Sequence, residues 1–298
     1  MNRRRLILLG AGSLLGGLGG LLCWGSRSPL VVARLIQARA AAMGSRYGIR
    51  IGYGPPESFF VPPYPAEAAQ IKSGVATQVA LAALPAALDG IDQALPSYPP
   101  GFFSRLCKAI FLCGSLTLDG AEAGGTYGHA WIILVATSAV GNAGIFETAR
   151  LGVHHEFSSL VWNRIPALPA RWTALLPPGW TPARDNAQAL EAPDHGAMPL
   201  ADGFLSPYGA TTAENDFNVY AETLFTAPRR IVELGKRHDR FARKAALLMA
   251  AYTLLDARMA VVFQNLGLAE LRDAIPVRLE DGAPIVPIII PRGEITPP

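Results

Sequence analysis

Two adjacent side chains, His155 and Glu156, put an imidazole and a carboxylate side by side in this sequence. They lie in the stretch from Ile145 to Pro166, IFETARLGVHHEFSSLVWNRIP, which reads as a helix. At about 100° per residue on a helical wheel, Val153, Phe157, Leu160 and Val161 gather on one side. His155, Ser159, Leu151 and Trp162 fall on the opposite side, and Glu156 lies about 100° round from His155. One face is therefore expected to be buried, and the other to present the imidazole with the carboxylate beside it. The chemistry open to such a pair is activation of water, with the His as a metal ligand and the Glu as the base that takes the proton.

Other elements must position that helix. KAIFLCGSLTL, Lys108 to Leu118, and HAWIILVAT, His129 to Thr137, read as two strands around a turn-rich DGAEAGGTYG. An exposed strand edge ahead of the helix would hold an extended peptide through main-chain hydrogen bonds. Upstream, Ile71 to Leu95 reads as a core helix with a kink or break near Pro85, and LIQARAAAMGSR as a short helix in an otherwise irregular 27–65. Downstream, the Pro-rich 166–205 reads as a long surface loop or cleft wall, with His195 in it.

Thr211-Thr212-Ala213-Glu214 fits a capping box, so a second helix is expected to start near Thr212 and to end at Pro228. Phe217, Tyr220, Ala221 and Leu224 face one way on it, and Asn215, Asn218 and Glu222 the other. Its acids have two readings. Glu214 is a capping residue and Asp216 a first-turn dipole partner, or this helix supplies an acidic metal ligand. A long helix is expected from roughly Arg230 to Leu266, followed by an extended Pro-rich tail.

Half of the residues are hydrophobic, enough for one full core. Residues 1–26 differ in kind. Arg3, Arg4 and Arg5 precede an uncharged run from Leu6 to Trp24, roughly 28 Å long as a helix. This reads as a signal peptide or N-terminal membrane anchor. Residues 27–298 are then a single domain with Pro-rich extensions at both ends. The chain is expected to be exported, either periplasmic or anchored to the cytoplasmic membrane facing outward. The net charge of +3 conceals an asymmetry: residues 1–57 carry +7 and the remainder −4. The basic character is a topology signal, which argues against a nucleic-acid partner. ILLGAGSLLG imitates a dinucleotide-binding turn, but the first acid in the chain is Glu57, so that reading fails. Cys107 and Cys113 are separated by roughly 20 Å of strand, beyond the ~7 Å reach of a disulfide, and read as buried thiols.

Taken in order, these segments resemble the zinc-binding metallopeptidases of exported bacterial proteins, a branch of the gluzincin-like zincins. The resemblance covers about residues 78–265. There the helix reads H-E-F-x-H; Gly203-Phe204-Leu205-Ser206-Pro207-Tyr208 matches the lead-in to the second helix, and Glu214-Asn215-Asp216-Phe217 matches its E-D-F run. The resemblance implies an α+β, zincin-like fold, with a small sheet followed by an active-site helix and a mainly helical C-terminal half. It implies zinc as cofactor and a peptide or protein as substrate or ligand. It makes His155 the first zinc ligand, Glu156 the general base, and Tyr208 a residue that steadies the developing oxyanion. Ser159 stands where the second His belongs, and Asn215 where the ligand Glu aligns. Glu222 is then the first choice for the carboxylate ligand and Asp216 the second. Two functions follow. One is a peptidase-like zinc metallohydrolase with a non-standard ligand set that draws on His154 or an outlying His. The other is a catalytically inactive pseudoenzyme on the same fold, a binding or scaffold module at the cell envelope.

Overall fold

The computed structural model describes residues 28–54, 74–194 and 196–274. The expected N-terminal anchor, His195 and the Pro-rich tail lie outside the described residues. No helix among the described residues is long and apolar enough to cross a membrane.

The elements run α1 (Pro29–Tyr47), β1 (Arg50–Gly52), β2 (Gly74–Thr77), α2 (Leu84–Ala94), α3 (Phe102–Leu106), β3 (Ala109–Cys113), β4 (Ser115–Leu118), β5 (Ala121–Glu122), β6 (Gly125–Tyr127), β7 (Trp131–Val135) and α4 (Gly141–Trp162). A helical half follows: α5 (Leu168–Thr173), α6 (Asn186–Glu191), α7 (Ala213–Thr226), α8 (Pro228–Arg237), α9 (Asp239–Leu255), α10 (Met259–Asn265) and α11 (Ala269–Ala274). The fold is α+β. One sheet has the order β1-β3-β7-β6, and the other β2-β4-β5. In the first, β1, β3 and β7 are parallel, and β6 closes the edge antiparallel to β7.

Three elements differ from the sequence expectation. The single strand from Lys108 to Leu118 is split at Gly114 between the two sheets. A Cβ at Gly114 would lie 2.7 Å from the Gln78 carbonyl oxygen, so the crossing needs a residue without a side chain. The helix expected over Ile71 to Leu95 begins only at Leu84. Residues 74–77 instead pair with β4, and Pro85 sits in the first turn of α2, where its missing N–H is no loss. The long helix from Arg230 to Leu266 is broken by extended backbone at His238 and Asp256. The Asp256 carboxylate accepts from the Arg258 N–H at 3.0 Å and from its guanidinium, fixing the break before α10.

At the centre lies α4. A Cβ at Gly90 would meet the Phe146 carbonyl oxygen at 2.3 Å, so α2 and α4 touch backbone to backbone. Val153, Phe157, Leu160 and Val161 are all buried, as the wheel predicts. Phe157 stacks on Phe103 at 4.4 Å and meets Phe102 edge-on at 5.6 Å. The opposite face is also covered, contrary to expectation: Ser159 is fully buried and Trp162 nearly so. The cover is α7, whose Phe217 packs on Trp162. Cys107 and Cys113 are free and buried, and burial pushes both thiols up to about 12.

Candidate functional site

The elements α4, α7 and β6 meet around His155 and Glu156. Thr212 is the N-cap of α7, its hydroxyl accepting from the Asn215 N–H at 2.9 Å. The cap is thus one residue later than the Thr211 register of the capping box. That shift puts Asn215, not Glu214, at the capping-box position. Glu214 is released from the helix end and turns toward the site, where Oε1 is buried without a hydrogen-bond partner. From sequence Glu214 reads either as a cap or as one of the acids of a ligand-bearing helix, and the paired threonines allow either register.

Glu222, two turns further along α7, hydrogen-bonds the Nδ1 of His155. Burial opposes a charge on His155, but the Glu222 hydrogen bond and charge, with Glu156 and Asp194, outweigh it and push the imidazole up to about 9. The Tyr208 ring stacks on His155, with centroids 5.8 Å apart. Burial, together with the charges of Glu156 and the other nearby acids, holds the Tyr208 phenol well above its ordinary value, so it stays protonated.

Glu156 lies against the edge strand. A Cβ at Gly125 would fall 2.5 Å from Glu156 Oε1, so the carboxylate reaches the β6 backbone only because residue 125 is glycine. Burial pushes Glu156 up to about 7; His155 pulls it down, while Glu214 and Glu222 add to the rise. Glu214 is raised by burial too, against the hydroxyls of Tyr127 and Ser159 and the charge of His155.

One turn beyond His155, Ser159 accepts from Asn218 Nδ2 at 2.8 Å, and Ser158 donates to Asn218 Oδ1. Asn218, read from sequence as part of a polar face, is in fact buried between the two helices. Asn163 ties the end of α4 to the edge strand, donating to the Ser159 carbonyl at 2.8 Å and to the Tyr127 hydroxyl at 3.2 Å.

The fold therefore brings His155, Glu156, Glu222 and Tyr208 together, and adds Glu214 and Tyr127. It does not bring Asp216 to them. Asp216 is fully buried on the far side of α7, paired with Lys244 at 2.6 Å and accepting from Trp172 Nε1 at 2.9 Å. Nor does His154 contribute. It is bonded to the Tyr98 hydroxyl at 2.7 Å and stacked on Phe225 at 4.9 Å, and burial pushes it down to about 3, so it is a neutral core residue.

Zinc does not fit this set. Among the described residues no group of three or more His, Cys, Asp or Glu is disposed to hold a metal ion. The second-His position holds a serine already engaged by Asn218. The Nδ1 of His155 is already engaged by Glu222.

Set against family models, curated proteins and solved structures, the chain matches none.

Proposed function

We propose that the chain is a peptide-binding module of metallopeptidase-like build, a pseudoenzyme at the cell envelope. An extended peptide lies along β6, beside His155 and Glu156. The observation that carries this reading is the edge itself. Gly128 N–H bonds the Trp131 carbonyl at 2.9 Å, and Val135 N–H bonds the Gly124 carbonyl at 3.0 Å. Hydrogen-bonded pairs alternate along an antiparallel ladder, so Thr126 faces Ile133 in the next such pair. Gly125 and Tyr127 then turn their N–H and C=O groups outward, where a peptide strand can add. The test uses the full chain in detergent and an acetylated, amidated Ala-Ala-Lys-Ala-Ala pentapeptide. The Gly125 and Tyr127 amides gain protection from hydrogen exchange on binding; unchanged exchange at both would overturn the reading.

A second reading, a peptidase-like hydrolase with Glu156 as general base, is favoured by one observation. A carboxylate held at about 7 suits a base working near neutral pH. Cleavage of the pentapeptide, abolished by Glu156→Gln, would select it. The outward-facing location rests on Arg3–Arg5 ahead of the uncharged run. Alkaline phosphatase fused after Pro298 is expected to be active; activity of a cytoplasmic reporter at that point would instead place the domain inside.

A further inference from the structure

Among the described residues Glu156, Glu214 and Glu222, with Asp194 further out, all act on the one imidazole of His155 or on the Tyr208 phenol beside it. Glu156 is 7% exposed and has neither a hydrogen bond nor an ion pair among the described residues. Glu214 meets the Tyr127 and Ser159 hydroxyls, but its Oε1 is buried and unpartnered. Both acids lie close enough to His155 to feel its charge, but that imidazole is already bonded to Glu222. Both also act on the Tyr127 and Tyr208 phenols, and Glu156 Oε1 lies against Gly125 of β6, two residues from the Tyr127 whose hydroxyl meets Glu214. A buried carboxylate oxygen lacking a partner is unfavourable, and the deficit is met either by a proton or by a cation that a ligand brings.

The donor set discriminates between cations. Zinc requires several deprotonated ligands at close to 2 Å in tetrahedral array, which these side chains do not supply. An ammonium group has three rotatable N–H donors and no acceptor, and it bonds carboxylates at ordinary hydrogen-bond distances. The Glu156 carboxylate, the free Oε1 of Glu214 and the Tyr208 phenol oxygen are acceptors for it. Gly125 keeps the approach along the strand free of a side chain.

We infer that the site takes a primary ammonium group, seated between Glu156 and Glu214. The group comes from a lysine side chain or a peptide N-terminus. This inference rests on the peptide-binding reading and names the chemistry that the bound peptide carries.

The test uses the full chain in detergent at pH 7.5 and calorimetric titration. The probes are the acetylated, amidated Ala-Ala-Lys-Ala-Ala peptide, its norleucine counterpart, an amidated pentaalanine with a free N-terminus, n-butylamine and n-butanol. The lysine peptide is expected to bind at least tenfold more tightly than the norleucine peptide, and n-butylamine to bind where n-butanol does not. Glu156→Gln and Glu214→Gln each remove most of the lysine–norleucine discrimination. Tight binding of free pentaalanine in place of the lysine peptide assigns the ammonium to a chain terminus. Equal binding of the lysine and norleucine peptides, with protection at β6, overturns the ammonium site and leaves the peptide reading standing. Amine binding without protection at β6 overturns the peptide reading. Binding of neither amine nor peptide overturns both, and leaves the carboxylates neutralised by protons alone.

Discussion

Asn218 Nδ2 donates to Ser159 Oγ at 2.8 Å, and this bond fills the space one turn beyond His155. The wild-type chain is therefore expected to retain well under one zinc per chain after dialysis. Ser159→His alone changes this little, because Asn218 still occupies the position. Ser159→His with Asn218→Ala makes room for an i, i+4 histidine pair and raises zinc affinity at least tenfold. Elemental analysis and competition with a chelating dye measure both. One tightly held zinc per wild-type chain would end the binding-module reading.

Phe157 has no exposed surface and is enclosed by Tyr98, Phe102 and Phe103. Phe157→Ala should destabilise the fold by about 3–5 kcal/mol, as aromatic truncations in packed cores do. Denaturant unfolding measures it, and a loss below about 1 kcal/mol would be inconsistent with the packing of α4.

Lys244 and Asp216 form a fully buried pair, with the ammonium also bonded to the Gly203 carbonyl at 2.8 Å and lying 4.4 Å from the Phe204 ring centroid. Asp216→Leu or Lys244→Met alone leaves one charge unpaired, and each should cost about 3–5 kcal/mol. Asp216→Leu combined with Lys244→Met should cost far less than the sum. Additive losses in the double-mutant cycle would contradict a direct pairing.

Glu156 titrates at about 7 in the fold, above an ordinary 4.5. The fold favours its protonated form, so its contribution to stability is full below pH 4.5 and is lost as pH rises through 7. Glu156→Gln lacks this loss. Its stability relative to wild type should rise by about 2–3 kcal/mol between pH 4 and pH 8. His155, raised to about 9, adds a loss of the same sign as pH climbs from 6.5 through 9. Urea unfolding of wild type and Glu156→Gln across pH 4–10 reads both, and parallel curves would rule out a buried, raised Glu156.

The hydrophobic periodicity of α4 told which side of the helix carries Phe157, and Pro228 told where α7 stops. Periodicity could not tell that α7 covers the other side as well, because Ser158, Ser159 and Asn218 are polar and satisfy one another only across the two helices. Glu222 was legible as the acid facing away from the apolar stripe of α7. Glu214 was not, since its destination depends on which of two adjacent threonines caps the helix. Asp216 shares a sequence neighbourhood with Glu214 but points to Lys244, a partner on α9 that no local pattern reveals. Gly114 ends one strand and begins another without any break in the apolar run, so its role emerges only from the Gln78 backbone that passes it.

The parallel pairing of β1, β3 and β7 joins residues far apart in the chain: Ile51 aligns with Ile110, and Ile110 with Ile132. Each pairing must close a loop before its hydrogen bonds reward it, which makes such a sheet slow to form. The β6–β7 hairpin is local and can form first, but β7 is fixed beside β3 only when the long-range pairings close. The edge that the proposal gives to a peptide is therefore expected to reach its final place against α4 and α7 only once the sheet is assembled.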